Sequence, residues 1–280
     1  FLPGADENAS GISVLNEVAR KLARAFTPQR PVLFVAFTGE ESGLLGSNYF
    51  VNSSPGGFPL SSAFAMVNLD AVGRLEGRTL QIFGTESAYE WPFMAQGIGF
   101  TIGVSSQFAA QTVASSDHVS FLNAGIPAIH LFSGTHLDYN QPTDTADKLD
   151  LAGMGDVALW VEEAIVYLAD RSDPLRVSLE QASQLLVSTN TTAREAVLGT
   201  VPDFAYLGQG VRISGVSPGG AAELAGLQAS DVILQFNGQA VDSLQTYSNL
   251  LRAAAPGDEI ELMVRRGEQT LNFSAILQTR

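Results

Sequence analysis

The stretch Pro31-Val-Leu-Phe-Val-Ala-Phe-Thr-Gly-Glu-Glu-Ser-Gly43 decides how this chain is read. Its apolar part has the length of a strand, and two adjacent carboxylates, Glu40 and Glu41, stand where it ends. An unbroken apolar run, rather than an alternating one, predicts a strand over 31–38 that is covered on both faces. Adjacent side chains leaving a strand point to opposite sides, so one acid can bind a metal while the other holds a water. A solvated acidic turn is the competing reading, since glycines flank the pair; the wholly apolar run before it favours the rim of a buried sheet.

Two other segments deliver carboxylates in the same manner. Asp70 closes the run Met66-Val-Asn-Leu-Asp70, and Asp6 lies in Gly4-Ala-Asp-Glu-Asn-Ala-Ser-Gly11, just before a helical pattern. An acid at a helix start is stabilised by the dipole and the unpaired amides, so capping alone would account for Asp6. Charge repulsion makes Asp6, Glu40, Glu41 and Asp70 unfavourable in one cleft unless a cation or a proton separates them. Their convergence predicts a metal-dependent hydrolytic site.

Residues 1 to 171 alternate between helical and strand patterns. Asn8 to Phe26 sets Ile12, Leu15, Val18, Ala19, Leu22 and Phe26 on one helical face, with Asn8 or Ser10 available as the cap. Further strands are expected at 63–69, 79–83 and 128–132, and helices near 43–52, 88–97 and 152–169. Apolar strands separated by helices predict an α/β domain, a mostly parallel sheet flanked by helices, with ligands bound beyond the carboxyl ends of the strands. Composition changes near Arg171-Ser-Asp-Pro174. A connector over 172–192, helix-like from 175 to 189, is followed by a small β-rich domain over 193–280, punctuated by Pro218-Gly-Gly220, Asn237-Gly238, Pro256-Gly257 and Arg266-Gly267.

With 280 residues, 45% of them hydrophobic and 16% charged, the chain is long enough for one large core plus a small module. The formal net charge of −14 argues against nucleic acid as a partner. There is no cysteine, which removes disulfides, thiolate zinc sites and a cysteine nucleophile. No stretch reaches the roughly 20 continuous apolar residues of a membrane span. The opening Phe1-Leu-Pro-Gly-Ala-Asp6 has neither a basic start nor an apolar signal core, so the chain is expected to be a processed or truncated product. Asn8, Asn52, Asn190 and Asn272 each begin an Asn-x-Ser/Thr triplet, which permits glycosylation on export.

The motifs at 4–11 and 37–47, together with Val67-Asn-Leu-Asp70, Ser116-Asp-His118, Gly134-Thr-His-Leu-Asp-Tyr-Asn-Gln-Pro142 and Asp147-Lys148, occur in the order found in the co-catalytic di-zinc aminopeptidases. The chain resembles that family, which also holds glutamate carboxypeptidase and glutaminyl cyclase relatives. The resemblance implies Asp6 as the carboxylate bridging two zinc ions, Glu40 as the general base, Glu41 as a ligand of one zinc and Asp70 of the other. It implies Tyr139, beside the last ligand, as a hydroxyl that supports the tetrahedral oxyanion. The activity implied is removal of N-terminal residues from peptides.

Two departures stand against this. The family's tyrosine is followed by a zinc-binding histidine, but here that position is Asn140, whose amide oxygen is a much poorer zinc ligand. The other histidine of the family lies in a His-x-Asp motif upstream of the bridging aspartate, ahead of Phe1, so the domain is expected to be N-terminally incomplete. Of the three histidines, His118 resembles a residue behind the cleft, His130 reads as a core histidine, and His136 is the substitute ligand to consider. The remaining oxygen donors favour calcium, magnesium or manganese over zinc, or an empty site. The alternative is therefore a catalytically impaired pseudoenzyme, a scaffold for binding or assembly, as a homo-oligomeric surface protein that is secreted or held in the cell envelope.

The run Val211-Arg-Ile-Ser-Gly-Val-Ser-Pro-Gly-Gly-Ala-Ala-Glu-Leu-Ala-Gly-Leu227, then Ser230-Asp-Val-Ile-Leu-Gln-Phe-Asn-Gly238 and a helical pattern from Ser243 to Ala254, resembles a PDZ domain of the bacterial protease-associated kind. Such a domain takes an extended peptide or protein C-terminus onto a sheet edge. Leu198-Gly199-Thr200 occupies the place of its carboxylate-binding loop. A structural module with a closed groove is the other account.

Overall fold

The computed structural model describes residues 3–109, 116–178, 195–204, 206 and 208–279. They fall into two compact units, Phe1–Gly134 with Asn140–Thr189 and Thr135–Tyr139 with Asn190–Arg280. The described part of the helix-like connector ends at Ser178; the rest of that expectation lies outside the described residues.

The first unit contains strands β1 Met66–Leu69, β2 Leu80–Phe83, β3 Ser106–Phe108 and β4 Ala128–Phe132, in the order β1-β4-β2-β3. β1 runs parallel to β4 and β2 to β3, whereas β2 and β4 are antiparallel, so the sheet is mixed. Helices α1 Gly11–Ala25, α3 Glu90–Ile102 and α5 Leu151–Asp170 contribute Val14, Val18, Trp91, Val157 and Trp160 to a core that includes Leu80, Ile82, Ile129 and Leu131 of the sheet. Each fully buried aliphatic of this kind contributes about 2–3 kcal/mol. A separate cluster joins α2 Leu45–Ser53 to α4 His118–Asn123 through Phe50, Phe121 and Leu122.

The expected strand over 31–38 is not formed. Those residues run without a ladder partner among the described residues. Together with Ala63–Leu69, α1 and α5 they line an apolar cavity of about 310 Å³. Apolarity made the segment look like a strand, but a strand exists only where a neighbour's amides and carbonyls pair with its own. β4, by contrast, is buried at all five residues and occupies the expected 128–132.

The second unit is antiparallel. β6 Thr200–Pro202, β7 Val211–Val216, β8 Val232–Phe236, β10 Glu259–Arg266 and β11 Gln269–Ile276 line up as β11-β10-β8-β7-β6, with β9 Gln239–Ala240 on β8. β5 Ala196–Val197 pairs separately with β12 Gln278–Thr279. Asn237-Gly238 turns β8 into β9 and Gly267 turns β10 into β11, both at positive φ, as their turn chemistry predicts. Among the described residues the unit also holds helices α6 Ala221–Leu224 and α7 Leu244–Ala253, and the Ser243 hydroxyl caps α7 by accepting the Thr246 amide at 3.1 Å. Its own core gathers Ile213, Ile233, Leu251, Ile260 and Leu262.

Candidate active site

The stretch ahead of α1 is held by side chains rather than by regular helix. Asn8 Oδ1 accepts the amides of Gly11 at 3.0 Å and Ala71 at 3.3 Å, while its Nδ2 donates to the Leu69 carbonyl at 2.9 Å. Of the two expected caps, Asn8 therefore acts as one and also ties the helix start to the end of β1. Ser10 has a different task, its hydroxyl donating to the Asp6 carbonyl and accepting the Val72 amide. Asp144 closes the other side, its Oδ2 accepting the amides of Asp6 at 2.8 Å and Glu7 at 3.1 Å.

This packing also involves Asp6, the acid expected to bridge the metals. Asp6 is fully buried, and its Oδ1 accepts the Gly73 amide at 2.6 Å. A Cβ on residue 73 would lie 2.8 Å from that oxygen, so glycine is what lets the carboxylate reach the backbone. The carboxyl of the neighbouring Glu7 meets other acids. It shares a hydrogen bond with Asp70 and feels the charges of Asp70, Glu41 and Glu40; burial first, and then those charges, push it up to about 10. Its Oε2 is buried and lacks a hydrogen-bond partner among the described residues.

Glu40 and Glu41 follow the segment 31–38, and the turn is stitched to α2 by the amides of Gly43 and Leu44, which both donate to the Glu40 carbonyl at 2.9 Å. Burial, then Asp70, Glu41 and Asp117, raise Glu40 to about 8. Asp70 stands just past β1 and is raised to about 6, mainly by burial; hydrogen bonds from Ser116 and Glu7 pull it the other way. Ser116 Oγ donates to Asp70 Oδ2 at 2.7 Å and accepts from Asn68 Nδ2 at 2.7 Å, and Asn68 Nδ2 also lies 3.0 Å from His130 Nδ1. The Asp70 carboxylate is thus oriented through a chain that ends on a histidine.

His130 is a core histidine as expected, stacked on His118 with centroids 5.0 Å apart and flanked by Phe83 and Phe132. Burial holds both rings well below the usual imidazole range, His118 at about 3. Neither supplies an imidazole to the acid cluster. His136 and Tyr139 belong to the second unit, where their rings stand edge-on with centroids 6.1 Å apart. Asn140 belongs to the first unit, at φ 56°.

The donor chemistry suits a divalent cation: Glu7 and Asp70, from separate segments, share a hydrogen bond, burial and neighbouring acids raise Glu7, Glu40 and Asp70, and Glu7 Oε2 is buried without a partner among the described residues. The geometry is not a closed coordination shell. Among the described residues no group of three or more His, Asp or Glu side chains is close enough together to ligate one ion.

Sequence reasoning missed Glu7, Asp117 and Asp144. Glu7 sits beside the residue chosen, and which of two adjacent acids faces the cleft depends on the irregular turn over Ala5–Ser10. Asp144 had no signal, being an acid in a polar loop whose partners lie more than 130 residues away. In the second unit, Leu198 is buried and its carbonyl accepts the Ala222 amide. Gly199 has φ 78°, and Thr200 Oγ1 lies 2.7 Å from Tyr247 Oη on α7.

An α/β domain with acids gathered past the end of β1, followed by an antiparallel β domain, defines the class. The chain belongs to peptidase family M28, whose family model matches residues 1–165, and residues 212–266 match a PDZ domain. Aminopeptidase YwaD of Bacillus subtilis (strain 168) is 33% identical over 141 residues, 48% of this chain and 30% of that protein. Leupeptin-inactivating enzyme 1 of Streptomyces exfoliatus is 31% identical over 146 residues, 52% of this chain and 32% of that protein. A solved zinc aminopeptidase from Bacillus subtilis superposes with a TM-score of 0.55 at 26% identity, covering 64% of this chain and 46% of that one. The chain spans about a third of the length of these curated relatives. No helix among the described residues is long and apolar enough to cross a membrane.

Proposed function

We propose that this protein is a metal-dependent exopeptidase that removes N-terminal residues from peptides. The observation that carries the reading is the electrostatic coupling of Glu7 and Glu40 to Asp70 and Glu41, which together with burial raises Glu7 and Glu40 far above ordinary carboxyls. Glu7, Glu41 and Asp70 are the residues to hold a cation, with Asn140 and His136 as further candidate donors and Asp6 acting through the backbone it organises. A bound zinc ion, the metal named for a Bacillus relative, supplies polarisation of the peptide carbonyl and a water acidic enough to ionise near neutral pH.

Glu40 is the general base, its carboxylate taking a proton from the attacking water and passing it to the leaving amine. Tyr139 offers a hydroxyl to the developing oxyanion. The PDZ domain, with Leu198-Gly199-Thr200 at its peptide-binding edge, captures extended peptides or C-termini by strand addition. Relatives include a protein named as a probable DegP-like periplasmic serine endoprotease, 39% identical over 66 residues, which supports a secreted or cell-envelope setting.

Asn140, in the place of a zinc-binding histidine, favours a second reading as a non-catalytic scaffold. Metal analysis and hydrolysis of an aminoacyl chromogenic substrate separate the two, with Asn140→His as comparison. Two zinc equivalents with turnover in the parent chain reject the scaffold. No transition metal and no turnover, with zinc recovered in the histidine variant, reject the enzyme.

A further inference from the structure

Among the described residues β6 is an outer strand of the second unit's sheet, three residues long and ending on a proline. Two backbone bonds fix which of its groups face outward. The Ser217 amide donates to the Gly199 carbonyl at 2.7 Å and the Asp203 amide to the Arg212 carbonyl at 2.8 Å, while Thr200 pairs with Val216 and Pro202 with Ile213. In an antiparallel ladder such bonds flank non-hydrogen-bonded pairs, so the backbone groups of Thr200 and Pro202 point away from β7, toward the open edge. Thr200 brings an N–H and a carbonyl there. Pro202 has no N–H to bring, and its carbonyl already accepts Thr135 Oγ1, of the same unit, at 2.7 Å. On α7, Tyr247 Oη lies 2.7 Å from Thr200 Oγ1, so the helix flanks the Thr200 end of the strand.

We propose that Pro202 is a specificity-determining residue of the PDZ edge: it stops strand addition after the one ligand residue opposite Thr200, so that the domain reads the end of a C-terminus and is indifferent to the length of chain before it. The proposal rests on the reading of this edge as a peptide-binding one. A ligand antiparallel to β6 has its carboxyl end at Thr200, beside Leu198-Gly199, and its third residue from the end opposite Pro202. Its last residue exchanges two hydrogen bonds with the Thr200 backbone. Its third from last meets no donor and a carbonyl that is already engaged. Proline on an outer strand also keeps the edge from pairing along its length with other chains. A ladder this short gives an internal extended stretch too few main-chain bonds to hold it, and the ligand class that fits is a free C-terminus.

The test uses the full chain and peptides of roughly three, five and eight residues ending in leucine or valine with a free carboxylate, the lengths bracketing the ladder a strand of this size offers. A fluorophore on the peptide N-terminus reports Kd by anisotropy and bars an aminopeptidase from shortening the probe. Kd is expected to change by less than about threefold from the shortest peptide to the longest. Methylating the amide nitrogen of the last residue is expected to weaken binding at least about tenfold, and methylating that of the third from the end less than about twofold. Pro202→Val restores an N–H to the edge and is expected to bind the middle peptide about fivefold tighter. A parent Kd that falls about tenfold or more with length, or equal losses at the two methylated positions, overturns the proposal even if Pro202→Val fails to fold. A folded Pro202→Val with unchanged Kd overturns the role of Pro202, and equal binding of a C-terminally amidated peptide overturns the choice of a free C-terminus. Absence of binding by every peptide removes the peptide-capture reading itself, and the proposal with it.

Discussion

The carboxylate of Asp144 accepts the backbone amide of Asp6 at 2.8 Å across 138 residues of sequence. It also accepts the amide of Glu7, so one buried side chain fixes the turn on which the acid cluster depends. Asp144→Ala leaves those amides without their acceptor, and a loss of about 2–3 kcal/mol in unfolding free energy is expected by urea titration. Asp144→Asn keeps an oxygen acceptor and is expected to lose about half as much. Equal stability of the alanine variant and the parent would show the turn to be held by other means.

Glu7 gives a second expectation. A carboxyl raised to about 10 is one whose charge the folded protein resists, and a divalent cation offsets that resistance. Zinc at about 100 times its Kd is expected to stabilise the parent by about 2.7 kcal/mol. Glu7→Gln is expected to be no less stable than the parent without metal and to lose most of the zinc-induced rise in Tm. Asp6→Ala, in contrast, is expected to lower Tm with and without metal, because it leaves the Gly73 amide without its acceptor. An identical response to zinc in the Glu7→Gln variant would remove Glu7 from the metal site.

The stacked pair His118 and His130 predicts acid sensitivity. His118 is held at about 3 against an ordinary 6.5, because burial penalises its charged form. The unfolded chain therefore takes up the proton first. The stabilisation is complete above about pH 6.5 and is lost as pH falls toward 3, with a slope of up to about 1.4 kcal/mol per pH unit for each ring. Denaturant titrations at pH 7, 6 and 5 measure that slope, and His118→Gln is expected to reduce it. A slope unaltered by the substitution would assign the acid lability elsewhere.

In the second unit, Arg266 grips the fully buried Asp231 with two 2.7 Å bonds, Nε to Oδ1 and Nη2 to Oδ2, while Asp231 also accepts the Gln228 amide at 2.9 Å. Arg266→Ala strands a buried carboxylate, and a loss of about 2–3 kcal/mol is expected for this unit by thermal unfolding. Arg266→Lys keeps the charge but not the planar fork and is expected to recover only part. Full recovery by lysine would mean that charge alone matters there.

Much of the architecture was legible before any coordinates. The strands at 66–69, 80–83 and 128–132 lie within or at the expected stretches, and α1, α2, α3 and α5 stand where their patterns placed them. Turn pairs such as Asn237-Gly238 marked the hairpins of the second unit, because positive φ is written directly in residue type. The segment 31–38 misled because apolarity reports burial, while a strand is a relation between two chains of amides.

Composition and local pattern alone therefore settled what is intrinsic to a residue and its near neighbours: an acidic, cysteine-free chain with two kinds of domain and acids at the ends of apolar runs. Tertiary structure decided what depends on distant partners. It turned Asp6 inward to the Gly73 amide and Glu7 toward Asp70, and it gave Thr135–Tyr139 to the PDZ unit. Side-chain direction and the energy of a buried charge are set by neighbours that the chain brings near only when it folds.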